Sequence, residues 1–136
     1  MTHTKNNTLY LPIKQIYFDQ IIAGTKKAEY REVKEGITAS RYLQKDANSK
    51  YLLNPEVTKL CKEYYINDYN NGNFPFVTKD YKYLYLAVGY AKERDTAIVE
   101  VTGMSFETYE IWSKIYASWV IVYHLGKIIE VYRKPR

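Results

Sequence analysis

Alternating or continuously apolar positions near both ends of the chain predict β-strands. Residues 8–16 are apolar and β-favouring, and residues 81–88 place tyrosines on one side and mainly aliphatic side chains on the other. A turn at 89–95 leads to residues 96–105, which are predicted to pair antiparallel with 81–88. The predicted strands are 8–16, 26–33, 81–88, 96–105, 119–124 and 128–132.

Helical periodicity follows the first strand. Residues 17–23 place Phe18, Ile21 and Ile22 on one face of a short helix. Gly24 comes next, where the residue after a helix often needs a positive φ, so the helix is predicted to stop there. Near the other end of the chain, Gly126 is predicted to permit a bend between the last two strands.

A second helical pattern occupies the middle of the chain. Asn54, Pro55 and Glu56 supply a capping side chain, a first-turn proline and an acid at the positive end of the helix dipole. Apolar residues then recur at i, i+3, i+4, i+7 and i+8, which predicts one buried stripe. The stripe consists of Val57, Leu60, Cys61, Tyr64 and Tyr65.

Taken together, these elements predict an α+β fold. Five or six mostly antiparallel strands with a short N-terminal helix suggest a small closed or nearly closed β-barrel. Residues 1–136 are expected to form a single domain, because 136 residues are enough for one core. Within it, residues 37–80 are predicted to be a mainly helical insertion, with a looser helical piece starting at Ser40 and an internal loop at 67–80.

Cysteine usage and hydropathy favour a cytoplasmic protein. Cys61 is the only cysteine, so an intramolecular disulfide is excluded, which fits a reducing compartment. The polar N-terminus lacks the apolar stretch of a secretory signal, and the longest apolar run, 119–123, is too short to span a bilayer. No membrane association is expected. Two histidines exclude a histidine-rich metal site, and no metal or organic cofactor is implied.

Positive charge is concentrated in the first third of the chain. The net charge is +5, and residues 1–50 hold nine Lys or Arg against five acids. Such a field favours polyanionic partners. The sixteen tyrosines also favour a nucleic-acid partner, because bases stack on half-exposed aromatic rings. The preference of tyrosine for β-strands is an alternative explanation of the enrichment.

Candidate chemistry clusters in the pattern Gly24-x-Lys26-x-x-Glu29-x-Arg31. Gly24 lets the backbone turn sharply and lets a ligand come close. Glu29 and Arg31 stand two residues apart on a predicted strand and therefore share a face. Such a group of side chains is suited to binding a nucleotide. The carboxylate accepts a hydrogen bond from a base amino group, and the cationic side chains donate hydrogen bonds to phosphate. Alternatively, Glu29 and Arg31 pair on a solvated strand face.

This pattern, after a strand and a short helix, resembles the signature of the ASCH family in the PUA-like superfamily. Residues 97–102 are similar to the family's central strand, and residues 119–128 resemble its closing strand. The resemblance implies a PUA-like barrel that binds RNA or a nucleotide-like ligand. Ligand-binding residues would then be Gly24, Lys26, Glu29, Arg31, Tyr83 and Tyr85. On one face of their strand, with Tyr81, the two tyrosines form either a stacking platform for bases or a layer that packs against the inserted helix, and packing is the favoured interpretation.

The same resemblance implies an alternative, because some small ASCH proteins are amidohydrolases that act on 4-acetylcytidine through a Lys, a Thr and a Glu. In this sequence the lysine falls on Lys26 and the later acid on Glu100, while Glu29 occupies the threonine position. Hydrolysis then needs Thr25 as nucleophile, or Glu29 as general base for a water. A second alternative is a protein-interaction module that uses the insertion at 37–80.

Overall fold

The computed structural model describes residues 7–33, 39–50, 77–110 and 117–135 of the chain. Within them the protein is a small α+β structure with five strands and two helices. The elements are β1 (Thr8–Ile13), α1 (Gln15–Ala23), β2 (Ala28–Val33), α2 (Ala39–Tyr42), β3 (Tyr83–Val88), β4 (Thr96–Glu110) and β5 (Ala117–Tyr132).

The five strands belong to one mixed sheet in the order β1-β3-β4-β5-β2. β1 runs parallel to β3, and β3 runs antiparallel to β4. Because β1 and β2 stand at opposite ends of this order, the described strands form an open sheet, and the predicted barrel closure is not seen among them. The count of about five strands is confirmed, and the parallel pair is an addition that strand periodicity does not reveal.

β3 is the strand around which the core of the sheet is built. Leu84 lies opposite Leu9 of β1 and Val99 of β4, and all three side chains are buried. Leu86 repeats the arrangement between Leu11 and Ala97 on the same face. A strand flanked on both sides and buried through most of its length carries an almost continuous apolar run.

The first helix begins two residues before the predicted start and ends as predicted. Lys14 has extended backbone angles, and its carbonyl accepts hydrogen bonds from Tyr17 N and Phe18 N, so α1 begins at Gln15. Phe18 and Ile21 are buried, as predicted, and Ile22 is half-buried. β1 is correspondingly shorter than predicted, and β2 begins at Ala28 rather than at residue 26.

The last two predicted strands form one continuous strand, so the bend predicted at Gly126 is wrong. β5 runs through this position, and β4 extends well beyond its predicted end. The long neighbouring strand supports β5 on both sides of Gly126: Thr102 Oγ1 donates to His124 O at 3.2 Å, and Lys127 N lies 3.5 Å from Glu100 Oε1.

The chain divides into two compact units. The first contains Met1–Glu29, Asp80–Gly103 and Tyr123–Arg136, and the second contains Tyr30–Lys79 and Met104–Val122. In the second, α2 lies where a helical piece was predicted, and Leu43 forms a β-bridge with Thr78. The predicted helix after Asn54, with Cys61 on its stripe, lies outside the described residues. Neither described helix has the length and apolar character needed to cross a membrane.

Candidate functional site

Gly24 makes the turn that carries the chain from α1 towards β2. It has φ 81° and ψ 8°, and its N–H donates to Ile21 O at 3.1 Å. Thr25 N and Lys26 N then donate to Gln20 O at 3.0 and 3.2 Å. The positive φ explains the glycine. An added Cβ would meet no atom within 4 Å, so the space beside the turn is open.

Lys26 and Glu29 form an ion pair just after this turn. Lys26 Nζ lies 3.5 Å from Glu29 Oε1, and the side chains are only 18% and 7% exposed. The ammonium also lies 5.5 Å from the centre of the Tyr17 ring, within the range of a cation–π contact. A carboxylate and an aromatic face therefore hold the lysine on two sides, and the predicted proximity of Lys26 and Glu29 is confirmed.

The remaining residues of the motif occupy different environments. Glu29 is buried in β2, which argues against the solvated strand face considered for it. Lys27 precedes the strand and is exposed. Arg31 is half-buried in β2 and belongs to the second compact unit, whereas the site described here lies wholly in the first.

Glu100 brings a second carboxylate to this side of the sheet. It lies in β4, is half-buried, and its Oε1 accepts from Lys127 N at 3.5 Å, the long limit for a hydrogen bond. A Cβ added to Gly126 would collide with the Glu100 carboxylate and would lie 2.7 Å from Thr102 Cγ2. The carboxylate therefore lies over the backbone of β5, in space that only a glycine leaves open.

A backbone hydrogen bond connects this part of β5 to the motif. Leu125 N donates to Lys27 O at 2.9 Å, so the residue before Gly126 is bonded to the residue after Lys26. The segment with the ion pair and the strand crossed by the Glu100 carboxylate are thus adjacent. Gly126 is a site residue that sequence reasoning missed, although a glycine within a strand is a recognised sign of close approach.

Tyr83 and Tyr85, the two tyrosines expected to bind ligand, lie in different environments. Tyr83 is 3% exposed and lies opposite Glu100, so its ring belongs to the core and offers no open face for stacking. Tyr85 is half-buried and stacks on Tyr10 with ring centres 5.6 Å apart. Tyr10, which the sequence did not single out, is 43% exposed. An aromatic surface exists, but on the β1 side of β3.

Thr25, the alternative nucleophile, is hydrogen-bonded to a carbonyl at the C-terminal end of α1. Thr25 Oγ1 donates to Gln20 O at 3.2 Å, the same carbonyl that accepts from the backbone of the turn. Its hydroxyl therefore helps to satisfy the last carbonyls of α1. A role for Thr25 in acyl transfer would require this bond to break.

A separate cluster surrounds a buried acid, Asp95, which is 1% exposed. Its carboxylate accepts from Gln15 Nε2 at 3.0 Å, Arg133 Nη1 at 2.9 Å and Lys134 N at 2.9 Å. Arg133 Nη1 also lies 2.8 Å from Asp19 Oδ1. The hydrogen bond from Arg133 lowers the pKa of Asp19, and the bond to Asp19 is the main cause that raises the pKa of Arg133.

This cluster involves the basic C-terminal segment, which the structure describes as far as residue 135. Arg133 points to acids of its own chain and lies 5.0 Å from the Phe18 ring centre. The segment therefore packs against α1 and the residue before β4, through hydrogen bonds to Asp19 and Asp95. In the described ranges, no group of three or more His, Cys, Asp and Glu side chains gathers as a candidate metal site.

Comparison with protein-family models, with curated proteins and with solved structures found no match to this chain.

Proposed function

We propose that this protein is a PUA-like module of the ASCH type that binds RNA or a nucleotide-like ligand beside the Gly24 turn. The observation that carries the proposal is the Lys26–Glu29 pair, held at a positive-φ turn next to the strand over which the Glu100 carboxylate lies. Cationic donors and carboxylate acceptors side by side are the groups that phosphates and base edges require.

Lys26 is the phosphate-binding group in this proposal. An ammonium has three donors on a flexible stem, and the carboxylate and ring beside it restrict its position before any ligand arrives. Such preorganisation reduces the entropy lost on binding. Its remaining exposed fraction is the part that a phosphate oxygen would reach.

Tyr85 is a further proposed contact in the unit that holds Lys26, and Arg31 is a separate phosphate-binding candidate in the other unit. Arg31 would bind phosphate, since a guanidinium donates two parallel hydrogen bonds to it. Tyr85, with Tyr10 stacked against it, would offer a ring edge and the exposed Tyr10 face to an unstacked base.

The proposal is tested by fluorescence anisotropy with short single-stranded RNAs at several salt concentrations. Binding should weaken as salt rises, and Lys26→Ala should reduce the slope of log affinity against log salt by about 1. Lys82→Ala is the matched control, because it removes the same charge from an exposed lysine that pairs with Asp80 at 3.2 Å. It should leave the slope unchanged. Absence of binding by the unaltered protein at low salt contradicts the proposal.

Hydrolysis of an acylated nucleoside is a second candidate, favoured by the 3.5 Å contact between Lys26 and Glu29. Glu29 would accept a proton from water while the water oxygen attacks the acetyl carbonyl of 4-acetylcytidine, and the C–N bond would then break as Glu29 returns that proton to N4, giving cytidine and acetic acid, which ionises to acetate. Incubation should release cytidine in the unaltered protein and not in Glu29→Gln. A release rate that Lys26→Ala leaves unchanged argues against this site. Failure of both assays favours the protein-interaction alternative through 37–80.

A further inference from the structure

The segment that follows β5 is held against α1 by charged contacts. Arg133 Nη1 lies 2.8 Å from Asp19 Oδ1 and 2.9 Å from Asp95 Oδ2, so one nitrogen joins an exposed acid on α1 to the buried acid before β4. The guanidinium also lies 5.0 Å from the centre of the buried Phe18 ring. Arg133 therefore contacts two consecutive residues of the helix, Phe18 and Asp19.

The residues on either side of those two hold Lys26. Tyr17 places its ring 5.5 Å from Lys26 Nζ, and Gln20 O accepts a hydrogen bond from Lys26 N at 3.2 Å. The helical stretch 17–20 is thus contacted by Arg133 at its middle and by Lys26 at its two ends. All of these residues belong to the first compact unit.

α1 depends on the rest of the chain for its position. It spans nine residues, Gln15–Ala23, and a helix of this length is marginal in water on its own. Its N-cap residue, Lys14, makes no side-chain capping hydrogen bond, and the first turn of this fully described helix holds no acid. Gln15 Nε2 donates instead to Asp95 Oδ2 at 3.0 Å, the oxygen that Arg133 also contacts. The Asp95 cluster therefore supplies anchoring contacts that α1 lacks locally.

We propose that Arg133 is a positioning residue for Lys26, because it fixes α1 so that the Tyr17 ring covers the Lys26 ammonium. The inference rests on the proposed function in one respect, since it gives the C-terminal segment an influence on the lysine that binds phosphate. The positioning itself is a property of the folded chain and is measurable without a ligand.

A direct contact between Arg133 and phosphate is the competing role for this cation. Its Nη1 already donates to carboxylates of Asp19 and Asp95, and a phosphate oxygen would have to compete with both. A cation whose charge is matched by two acids of its own chain adds little to the attraction of a polyanion. The contacts thus favour an indirect role for Arg133.

The experiment measures how well the Lys26 amine is covered. Lysines are acetylated with N-hydroxysuccinimidyl acetate at neutral pH, and each site is followed by peptide mass spectrometry. Lys26 is 18% exposed and should react slowly in the unaltered protein. Arg133→Ala should raise the acetylation rate of Lys26 several-fold, because the Tyr17 ring would no longer be held over it.

Two controls separate positioning from loss of charge and from loss of stability. Lys134→Ala removes a charge next to Arg133 but keeps the hydrogen bond from Lys134 N to Asp95 at 2.9 Å, so the Lys26 rate should not change. Val99→Ala removes buried volume from β4 at the position opposite Leu84 and lowers stability without touching the cluster. It too should leave the Lys26 rate unchanged. Thermal unfolding midpoints confirm that all variants are folded under the labelling conditions.

A double variant tests the route of the effect. Tyr17→Ala uncovers the ammonium directly and should itself raise the Lys26 rate. If Arg133 acts through the ring, the double variant Tyr17→Ala/Arg133→Ala should react no faster than Tyr17→Ala alone.

RNA anisotropy measures the consequence for binding. Arg133→Ala should weaken RNA binding several-fold, and it should have no further effect when Lys26→Ala is already present. Asp19→Asn distinguishes positioning from bulk charge, because loss of an acid by itself strengthens the attraction of a polyanion. Positioning predicts the opposite sign, a weaker affinity, since Arg133 then loses its partner on α1.

Each outcome has a separate meaning. An unchanged Lys26 acetylation rate in Arg133→Ala overturns the inference, whatever RNA binding shows. An equal rise in Val99→Ala, or a double variant that reacts faster than Tyr17→Ala, overturns it as well. RNA affinity that Arg133→Ala leaves unchanged overturns the influence of the C-terminal segment on binding. If the acetylation results hold and the unaltered protein binds no RNA, the proposed function fails and the positioning of Lys26 stands.

Discussion

Asp95 and Glu100 are acids on the same stretch of chain, yet their surroundings are opposite. Asp95 immediately precedes β4, is buried, and accepts three hydrogen bonds of 3.0 Å or less from Gln15, Arg133 and Lys134. Glu100 lies five residues further along, within β4, and accepts one at 3.5 Å.

The difference separates an acid whose acceptors are filled by the fold from an acid that keeps acceptor capacity. A buried carboxylate whose acceptors are filled by its own chain stabilises the fold, and removing it leaves its donors without partners. A half-buried carboxylate with unused acceptor capacity adds little to the fold and is available to a ligand. If the two acids differ in this way, removing Asp95 should lower the free energy of unfolding much more than removing Glu100.

The largest effect is expected from Asp95→Ala. Loss of three hydrogen bonds to a buried carboxylate should reduce the free energy of unfolding by about 3 kcal/mol, measured by urea denaturation. The effect has to exceed that of Asp46→Ala, which removes an exposed acid that caps two backbone N–H groups of a turn. Equal losses in the two variants would contradict the structural role of Asp95.

A smaller loss is expected from Glu29→Gln. The substitution keeps the shape of a buried side chain but removes the charge that faces Lys26 at 3.5 Å. The free energy of unfolding should fall by about 1 to 2 kcal/mol. Urea denaturation of Lys26→Met and of the double variant Lys26→Met/Glu29→Gln completes a double-mutant cycle. If the loss of unfolding free energy in the double variant equals the sum of the two single losses, no interaction joins the two residues.

Glu100→Ala should change stability very little. With one long hydrogen bond to lose, the free energy of unfolding should shift by about 0.5 kcal/mol or less. The same denaturation series provides the measurement. A loss as large as that of Asp95→Ala would show that Glu100 supports the fold, and the contrast between the two acids would disappear.

The smallest effect concerns Asp19, which is exposed and sits at the outer end of the Asp95 cluster. The hydrogen bond from Arg133 lowers the pKa of Asp19 in the folded protein, so its stabilising contribution is present above the ordinary aspartate pKa of about 3.9. It is lost as the pH falls below that value and through the folded pKa. The thermal midpoints of the unaltered protein and Asp19→Asn should therefore differ at pH 7 and converge in acid. A difference independent of pH would contradict this linkage.

Several local features were predictable because they depend on near neighbours in sequence. Alternation identified the strands, and Gly24 was predicted to end α1 from its residue type and place. Lys26 and Glu29 were expected at one site because both belong to the motif that follows Gly24. Parallel pairing of β1 with β3 was not predictable, because it joins residues that are far apart in the chain, such as Tyr10 and Tyr85.

Gly126 shows why the rest of the site escaped prediction. Its sequence context permits a bend, but the contact that explains it comes from Glu100, which is distant in sequence and lies on the neighbouring strand. Likewise, nothing local distinguishes Tyr83 in the core from Tyr85 stacked on Tyr10.

Local sequence was enough to predict most strand positions and the end of α1, because backbone preference and side-chain alternation act over a few residues. Residue types alone named the candidate chemistry of the motif. Long-range packing sets which acids are buried, which are satisfied and which keep acceptor capacity. Burial and hydrogen bonding depend on groups that β3, β4 and β5 bring together from distant parts of the chain, so Asp95 and Glu100, alike in sequence, differ in the fold.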